Sequence, residues 1–467
     1  MLMKFVVRNS CLVQPAEPTW SGSMPLSELD QIGVFGHTPT IYYYRPPQDW
    51  AAPPRRIFET LRSSLSKALV IFYPLAGRLR WLPGSRLELD CNGVGVQLTE
   101  VECAATLDDI RDSDPPEYSH LVPQVNYSTP LPEIPILLVQ ITKFRCGGVS
   151  LSWNVSHVAV DGTSNLHFLS EWAALARGAP TGPPPVLDRR FLRAGERPAA
   201  SGRRSEFVHD TFDPQPVVIG EINDAGERGK ETTVALLKLT AAQVEDLKRE
   251  ANRSRVDGGS AAVKRPYTKY ESIVAHMWQC ACKARRHAAA QPTAVRICVN
   301  VRKHVRRLPP PPRKYFGNAI VDVFAKGRSG EITAAPLGHA AARVREAIDM
   351  VTEDYVESMI DYLKGMKDFS QLQDIKAPGT NGGTFYGNPN LRVTSWLGLP
   401  LHGLDFGWGK EISMGPGGDD CDGNSLVISG GDGDGDGSVM VGLCLQVACM
   451  EDFKKLFYED LPLNSRL

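Results

Sequence analysis

The sequence lacks any excess of charge and any long apolar run. Its 467 residues carry 52 basic and 53 acidic side chains, which gives a formal net charge of −1. Such a balance sets up no long-range field that would favour nucleic acid or an anionic membrane surface. No uncharged apolar run approaches the ~20 residues that cross a bilayer, and the apolar beginning of the chain is interrupted by Arg8 and Asn9. We therefore expect a soluble, cytoplasmic protein without nucleic-acid or membrane partners.

The cysteines form none of the patterns that hold a metal or a redox centre. Ten are scattered along the chain, and no Cys-x-x-Cys pair is present. Those pairs are the usual sign of a zinc ribbon or of a thioredoxin-like site. We predict no metal site and no permanently bound cofactor, and ordinary free thiols in a reducing compartment.

The chain is too long for one hydrophobic core, since single cores stop growing near roughly 250–300 residues. Helical and strand periodicities alternate along it, which predicts a mixed α/β protein. Residues 179–216 are rich in Pro, Arg, Gly and Ser and show neither period. We predict that they connect an N-terminal domain, 1–178, with a C-terminal domain, 217–467. The segment at about 376–400 is a candidate to pack with the N-terminal domain.

Individual elements follow from spacing and from capping residues. Ile57, Leu61, Leu65 and Leu69 recur every four residues, as one face of a helix requires. Thr240 with Gln243 has the pattern of a capping box. The predicted helices are 55–70, 163–176, 240–252, 270–287, 338–364 and 450–458, and the predicted strands are 136–144, 149–158, 426–429 and 438–447.

A histidine at the end of an apolar strand is the first candidate for chemistry. His157 follows such a run, and Asp161 and Gly162 come just before a predicted helix. Histidine suits proton transfer at neutral pH, and strand ends are where scaffolds present catalytic groups. The residues alone leave two interpretations open: a general base, or a hydrogen-bonded histidine beside an aspartate that caps the next helix. A metal site is disfavoured, because a third ligand at suitable spacing is missing.

Two motifs resemble a known family. The His-x-x-x-Asp-Gly sequence at 157–162 and the Asp-Phe-Gly-Trp-Gly sequence at 405–409 are similar to the paired signature of the BAHD acyltransferases. Stretches at 72–78, 315–318 and 394–396 match as well, so the resemblance covers nearly the whole chain. It implies two chloramphenicol-acetyltransferase-like domains joined by a long crossover loop, with a channel between them. A coenzyme A thioester would enter as co-substrate from one side and the acceptor from the other.

The resemblance implies roles for several residues. His157 would act as the general base, and the hydroxyl of Thr394 would donate to the oxyanion, with Trp396 lining the reaction centre. Asp161 would be structural and pair with Arg302. Asp405 would be architectural, because a turn with two glycines suits a buried loop better than acid–base work.

The sequence has fewer signals for the residues that contact coenzyme A. The basic run between 302 and 314 is typical of a solvated loop, although some of its charges could meet the phosphates of the coenzyme. We predict Arg302 as one such contact. Thr268 lies in a segment that resembles the family's cofactor-proximal region and is predicted as another.

The N-terminal run from His37 to Tyr42 resembles the hydroxycinnamoyl-transferring branch. The match implies that Thr40 and Tyr42 lie near the hydroxyl of the aromatic ring and that His37 lies nearer the acceptor. Strand alternation places Thr40 and Tyr42 on one face. The alternative is a plain strand with aromatic packing.

The acceptor is predicted from a missing arginine. Branches that use shikimate or quinate carry an arginine just before the Pro-Asn-Leu segment, as a clamp for a carboxylate. Here that position is Asn388. The 387–390 sequence and the C-terminal part resemble spermidine hydroxycinnamoyl transferases, so we predict a polyamine such as spermidine. The alternatives are an arylalkylamine such as tryptamine and an alcohol, either shikimate- or quinate-like or glycerol. We expect a monomer.

Overall fold

The computed structural model describes residues 4–45, 55–111, 119–196, 207, 209, 226–227, 229–253, 265–305, 314–370, 373–375, 387–418, 421–430 and 436–462. The strands are β1 Phe5–Val13, β2 Gly22–Pro25, β3 Gly33–Phe35, β4 His37–Tyr44, β5 Arg78–Leu82, β6 Arg86–Cys91, β7 Val96–Cys103, β8 Leu137–Phe144, β9 Val149–Ser156, β10 Thr232–Leu239, β11 Pro292–Asn300, β12 Ile320–Arg328, β13 Gln373–Ile375, β14 Leu391–Ser395, β15 Ser413–Pro416, β16 Asn424–Ser429 and β17 Val439–Gln446. The α-helices are α1 Arg55–Ile71, α2 Leu107–Arg111, α3 Gly162–Ala176, α4 Ala241–Arg253, α5 Lys269–Ala284, α6 Ser329–Ala334, α7 Leu337–Asp349, α8 Glu353–Gly365 and α9 Val447–Glu459. Short 3-10 helices span Glu28–Asp30, Tyr73–Ala76, Leu131–Glu133 and Arg189–Leu192.

The first six-stranded sheet has the order β1-β7-β8-β9-β4-β15. All eight residues of β9 are buried, so the strand is covered on both faces. Gly147 turns the chain between β8 and β9 at a φ of +85°, an angle that glycine adopts without a Cβ clash. The periodic leucines of α1 pack into the same core as β9. The predicted hairpin and the predicted first helix are therefore confirmed.

The second six-stranded sheet has the order β10-β17-β16-β14-β11-β12. Strand β14 runs parallel to both of its neighbours, β11 and β16. Helix α4 begins at the predicted capping box, in which the Gln243 N–H donates to Thr240 Oγ1 at 3.2 Å and the Thr240 N–H donates to Gln243 Oε1 at 2.9 Å. Helix α5 is buried along most of its length beneath this sheet.

A segment of the C-terminal half completes the first sheet. Strand β15 pairs antiparallel with β4, with Ser413 opposite Tyr43. Four side chains of the segment that connects β14 with β15 belong to the first hydrophobic core: Leu401, Leu404, Phe406 and Trp408. The described crossing segment therefore includes residues beyond 400. Trp396 and Leu399 also pack against this core, and the packing predicted for about 376–400 stays a prediction. Of that range, 376–386 lies outside the described residues and β14 stays in the second sheet.

The connection predicted at 179–216 is described at 179–196, 207 and 209. Its 3-10 helix begins with Arg189, which is buried. Arg189 Nη1 lies 2.6 Å from Asp30 Oδ1, and Nη2 donates to the Ala159 carbonyl at 2.7 Å. The described part is therefore anchored in the protein by a buried ion pair, which low periodicity does not reveal. The domain boundaries at 178 and 217 stay predictions.

One predicted helix was wrong. The range 338–364 is divided into α7 and α8, with a break at residues 350–352. Thr352 caps the second helix by accepting a hydrogen bond from the Tyr355 N–H at 3.2 Å. Apolar spacing continues across the break, so periodicity alone joined the two helices, although a threonine followed by Glu353 and Asp354 is a helix-start signal. Among the described helices, none is long and apolar enough to span a bilayer.

The crossing segment generates a stability prediction. Phe406 is 1% exposed and packs edge-on against Trp172, with ring centroids 4.9 Å apart. Phe406→Ala should lower the free energy of unfolding by about 3–5 kcal/mol, the usual cost of removing a buried phenylalanine. The half-exposed Trp81 offers a control, since Trp81→Ala should change it by about 0.5 kcal/mol or less. Urea denaturation monitored by fluorescence measures both. Equal midpoints for the two variants would contradict the packing of this segment.

Candidate active site

His157 lies directly after the end of β9, an interior strand of the first sheet. Its N–H donates to the Gly36 carbonyl at 2.8 Å. Its carbonyl accepts a hydrogen bond from Asn318 Nδ2 at 2.8 Å, and the same amide donates to the Val158 carbonyl at 3.2 Å. These bonds come from two different parts of the chain and hold the backbone of the turn that presents the imidazole.

Two cavities meet at His157. Cavity A, of about 170 Å³, extends along β4 and β9 toward β16 and β17. Cavity B, of about 250 Å³, extends toward β11 and β12. The residues that line both are His157, Asp161, Gly162, Arg392, Thr394 and Trp396. The histidine is therefore reached from two directions, as a residue must be if it serves two substrates.

The surroundings of His157 favour its neutral form. Burial lowers the pKa of the imidazole below its usual value, and the positive charge of Arg392 lowers that pKa further. The carboxylate of Asp161 acts in the opposite direction, with a smaller effect. A neutral imidazole can accept a proton, which a general base requires.

The Asp161 carboxylate is fully used in holding the structure together. Oδ2 accepts from Arg302 Nη1 at 2.6 Å and from the Ala319 N–H at 3.0 Å. Oδ1 accepts from Arg302 Nη2 at 3.0 Å and from the Ser164 N–H at 2.9 Å, which caps α3. These donors keep the pKa of Asp161 below its usual value despite the opposing effect of burial. The geometry matches the structural role and the arginine partner expected from the sequence.

Arg302 does not have the geometry of a coenzyme contact. Besides Asp161, its Nη2 donates to Ser164 Oγ at 3.1 Å and to the Gly317 carbonyl at 3.1 Å. Its side chain is 8% exposed. The guanidinium is occupied beneath the loop that follows His157, so the geometry gives no support to its predicted contact with the phosphates of coenzyme A.

Strand β14 brings together the predicted Thr394 and Trp396 with a residue that sequence reasoning missed. Thr394 and Trp396 line both cavities, as does Arg392. Arg392 and Thr394 alternate along the strand, so they share a face, and Trp396 directly follows the end of β14. The sequence signal for Arg392 is its position two residues before Thr394, which places both side chains on one face of a strand.

His37 and Thr40 line cavity A. His37 Nε2 donates to the Pro135 carbonyl at 2.8 Å, which leaves Nδ1 to accept from the Tyr127 hydroxyl at 3.0 Å. Burial lowers the pKa of His37 to about 4. His37 is therefore a neutral wall of the cavity.

Tyr42 lines neither cavity, so the geometry gives no support to its predicted contact with the substrate ring, which stays a prediction. Its hydroxyl donates to the Leu401 carbonyl at 2.8 Å, and its ring stacks on Trp153 at 5.3 Å. Tyr42 is fully buried. Strand alternation correctly gave it the same parity as Thr40, but the cavity ends before it and the crossing segment covers it.

Thr268 and Asp405 have structural partners away from both cavities. Thr268 caps α5, and its hydroxyl donates to Glu271 Oε2 at 2.8 Å. Asp405 Oδ1 accepts from the N–H groups of Gly407 and Gly409 at 2.7 and 3.0 Å. Both glycines have positive φ, +104° and +94°, which explains why the turn contains them. Asp405 thus has the geometry of the architectural residue predicted, whereas a coenzyme contact of Thr268 stays a prediction.

Within the described part of the chain, no cluster of three or more His, Cys, Asp or Glu residues could hold a metal ion. The groups that line both cavities and can take part in chemistry include the His157 imidazole, the Thr394 hydroxyl and the Arg392 guanidinium.

A model of the Transferase family matches residues 3–460. The hydroxycinnamoyl-CoA:piscidic acid hydroxycinnamoyltransferase of Actaea racemosa is 40% identical over 97% of this chain and 99% of its own. The shikimate O-hydroxycinnamoyltransferase of Nicotiana tabacum is 37% identical over 98% of this chain and all of its own. The chain belongs to the BAHD acyltransferase family. A third relative is the hydroxycinnamoyl-CoA:5-hydroxyanthranilate N-hydroxycinnamoyltransferase of Avena sativa, 36% identical over 97% of this chain and 99% of its own.

Solved structures confirm the predicted fold. Vinorine synthase is similar with a TM-score of 0.69 at 22% identity, over 99% of this chain and 98% of its own. TRI101 of F. graminearum, complexed with ethyl coenzyme A, has a TM-score of 0.73 at 17% identity, over 92% of this chain and 96% of its own. The fold is that of two chloramphenicol-acetyltransferase-like domains. This acyltransferase uses a coenzyme A thioester as co-substrate.

The Asp161 geometry generates a prediction about stability. Asp161→Asn removes the negative charge and leaves the buried Arg302 guanidinium without its counter-charge. The free energy of unfolding should fall by about 3–5 kcal/mol, as when one partner of a buried ion pair is removed. Thermal unfolding and acyl transfer should be lost together. Because the folded-state pKa of Asp161 is lowered, this contribution is fully present at neutral pH and disappears only as the pH falls through that lowered pKa. A stable Asp161→Asn with a shifted pH–rate profile would instead show a proton relay.

The surroundings of His157 generate a prediction about pH. Because its pKa is lowered, the rising acid limb of kcat/KM should have its midpoint below pH 6.5. Arg392→Gln removes the neighbouring positive charge and should move this midpoint to higher pH. Initial rates measured from pH 4.5 to 9 give this midpoint for the wild type and for Arg392→Gln. A wild-type midpoint above 6.5 would contradict the described environment.

Proposed function

We propose that the protein transfers a hydroxycinnamoyl group from its coenzyme A thioester to the hydroxyl or amino group of a small acceptor. The observation that carries the proposal is the position of His157, where two cavities open onto one imidazole. One cavity can admit the thioester and the other the acceptor, so that the two reacting groups meet at the base without a covalent enzyme intermediate.

His157 takes the proton from the acceptor as its oxygen or nitrogen attacks the thioester carbonyl. The new C–O or C–N bond forms, and the carbonyl oxygen becomes an oxyanion. Thr394, which faces both cavities, donates its hydroxyl to that oxyanion. The tetrahedral intermediate collapses, the C–S bond breaks, and the His157 imidazolium returns its proton to the departing thiolate. Two of the relatives are named for hydroxycinnamoyl-CoA and the third for hydroxycinnamoyl transfer, which supports that donor.

The polyamine acceptor predicted from the sequence gains no support from the cavities. A polyammonium ion would need carboxylates along its path. The described lining of cavity A contains one carboxylate, Asp161, and that of cavity B adds Asp322. Asp161 is paired with Arg302, and Asp322 with Arg296. Relatives named for O-transfer and for N-transfer are both similar to this chain, so the acceptor group is kept open between alcohol and amine. The cytoplasmic location and the monomeric state stay predictions.

An activity screen tests the proposal. p-Coumaroyl-CoA is incubated with shikimate, 4-hydroxyphenyllactate, 5-hydroxyanthranilate, tryptamine, glycerol and spermidine, and products are identified by mass spectrometry. We expect at least one ester or amide, and a loss of about 100- to 10,000-fold in kcat for His157→Ala, the usual contribution of a general base. The exposed His120, which lines neither cavity, offers the control His120→Ala, which should retain activity. Undiminished transfer by a folded His157→Ala would overturn the mechanism.

A further inference from the structure

The segment between β14 and β15, residues 396–412, passes from the second sheet to the first. Its first residue is tied to β16, because the Trp396 N–H donates to the Val427 carbonyl at 2.8 Å. The same stretch faces the substrates, since Trp396 lines both cavities and Leu399 lines cavity B. The position of these two side chains therefore depends on how the segment is held further along the chain.

A histidine and a glutamate hold the segment together at its centre. The Glu411 side chain is 4% exposed, and its carboxylate accepts from the N–H groups of Gly403 and Leu404 at 2.9 and 3.0 Å. His402 Nδ1 lies 3.2 Å from Glu411 Oε1, and His402 Nε2 lies 3.3 Å from the carbonyl oxygen of Ser429. Ser429 ends β16 of the second sheet, and Glu411 lies two residues before β15 of the first. His402 therefore connects the two sheets.

This geometry specifies the charge of His402. Carbonyl oxygens and ionised carboxylates only accept hydrogen bonds, so both ring nitrogens must donate, and both carry a proton only in the imidazolium. The hydrogen bond with Glu411 raises the pKa of His402 above its usual value, and partial burial opposes this effect. Burial works to raise the pKa of Glu411, but His402 and the backbone donors hold that pKa below its usual value. A neutral imidazole would satisfy only one of the two oxygens.

We propose that His402 and Glu411 are positioning residues, and that their link keeps Trp396 and Leu399 against the two cavities only while His402 is charged. Because the folded-state pKa of His402 is raised, the link is fully present below the usual pKa of about 6.5 and is lost as the pH rises through the raised value. The inference goes beyond the proposed function and does not depend on the acceptor, since Trp396 lines both cavities.

The neighbouring groups leave this titration to the histidine. Tyr42 and Tyr44 interact with the charge of Glu411, and burial raises the pKa of each tyrosine, so both stay protonated near neutral pH. The other charged residues of the segment are Asp405, which accepts from two backbone N–H groups of its own turn, and Lys410, which is exposed. Strand β16, on the other side, carries no charged side chain.

Stability measured against pH tests the link without any substrate. Urea unfolding of the wild type and of His402→Gln is followed from pH 5.5 to 9. We expect the wild type to be the more stable at pH 6 and its advantage to shrink as the pH rises toward 9. Glu411→Gln should remove the same pH-dependent part. The exposed His120 offers the control His120→Gln, whose difference from the wild type should stay constant with pH.

Binding of p-coumaroyl-CoA tests the effect on the cavities. Its Kd is measured by isothermal titration calorimetry at pH 6 and pH 8.5. The wild type should bind about two- to fivefold more weakly at the higher pH, the size of one partly exposed ion pair. His402→Gln should bind weakly at both pH values. His402→Arg keeps its charge at pH 8.5 and should bind at both pH values as the wild type does at pH 6.

Two outcomes overturn the inference. A stability difference between the wild type and His402→Gln that is the same at every pH would show that the histidine acts by packing and not by its charge. A change of Kd with pH that is the same in the wild type, His402→Gln and His402→Arg would show that the link does not reach the cavities. If p-coumaroyl-CoA binds to none of these proteins, the proposed function fails, while the unfolding series still decides whether the link depends on the charge of His402.

Discussion

One buried carboxylate determines the geometry of the site. Asp161 accepts four hydrogen bonds from three separate places: the first turn of α3, Arg302 beyond β11, and Ala319 before β12. It therefore ties the loop after His157 to the second sheet. A buried charge left without its partner costs about 3–5 kcal/mol, so the loop has no other arrangement of similar free energy. The spacing of four residues between His157 and Asp161 has a physical meaning here: the aspartate fixes the loop, and the imidazole stays open to the two cavities.

The burial and the charges around the His157 imidazole favour its neutral form. Asp161 is held by its own donors, and its effect on His157 is outweighed by burial and by Arg392. The base is thus neutral when the acceptor arrives and becomes charged only in the course of the reaction.

The sequence allowed the main elements and the position of His157 at a strand end to be predicted, because these are set by local patterns. The leucine spacing of α1, the cap at Thr240 and the apolar run before His157 are each contained in a few adjacent residues. What could not be predicted depends on distant contacts. Tyr42 was assigned to the substrate because alternation gives the face of a strand but not where a cavity ends. Arg189 lies in a stretch without periodicity, and its guanidinium forms a buried ion pair with Asp30, about 160 residues earlier in the chain.

The missing arginine shows the same limitation most clearly. At the position where related branches carry a carboxylate clamp, this chain has Asn388, whose Nδ2 donates to Glu227 at 3.1 Å and whose N–H donates to Asp422 at 2.7 Å. That position therefore serves the structure. Four residues later the chain supplies Arg392, on the face of β14 that looks onto the base. The polyamine was predicted from this one position, although all the side chains that line the cavities determine which acceptor fits. A guanidinium can be moved along a strand by an even number of residues and still face the same cavity, so the chemistry of the acceptor has to be inferred from the wall of the cavity and not from one position in the sequence.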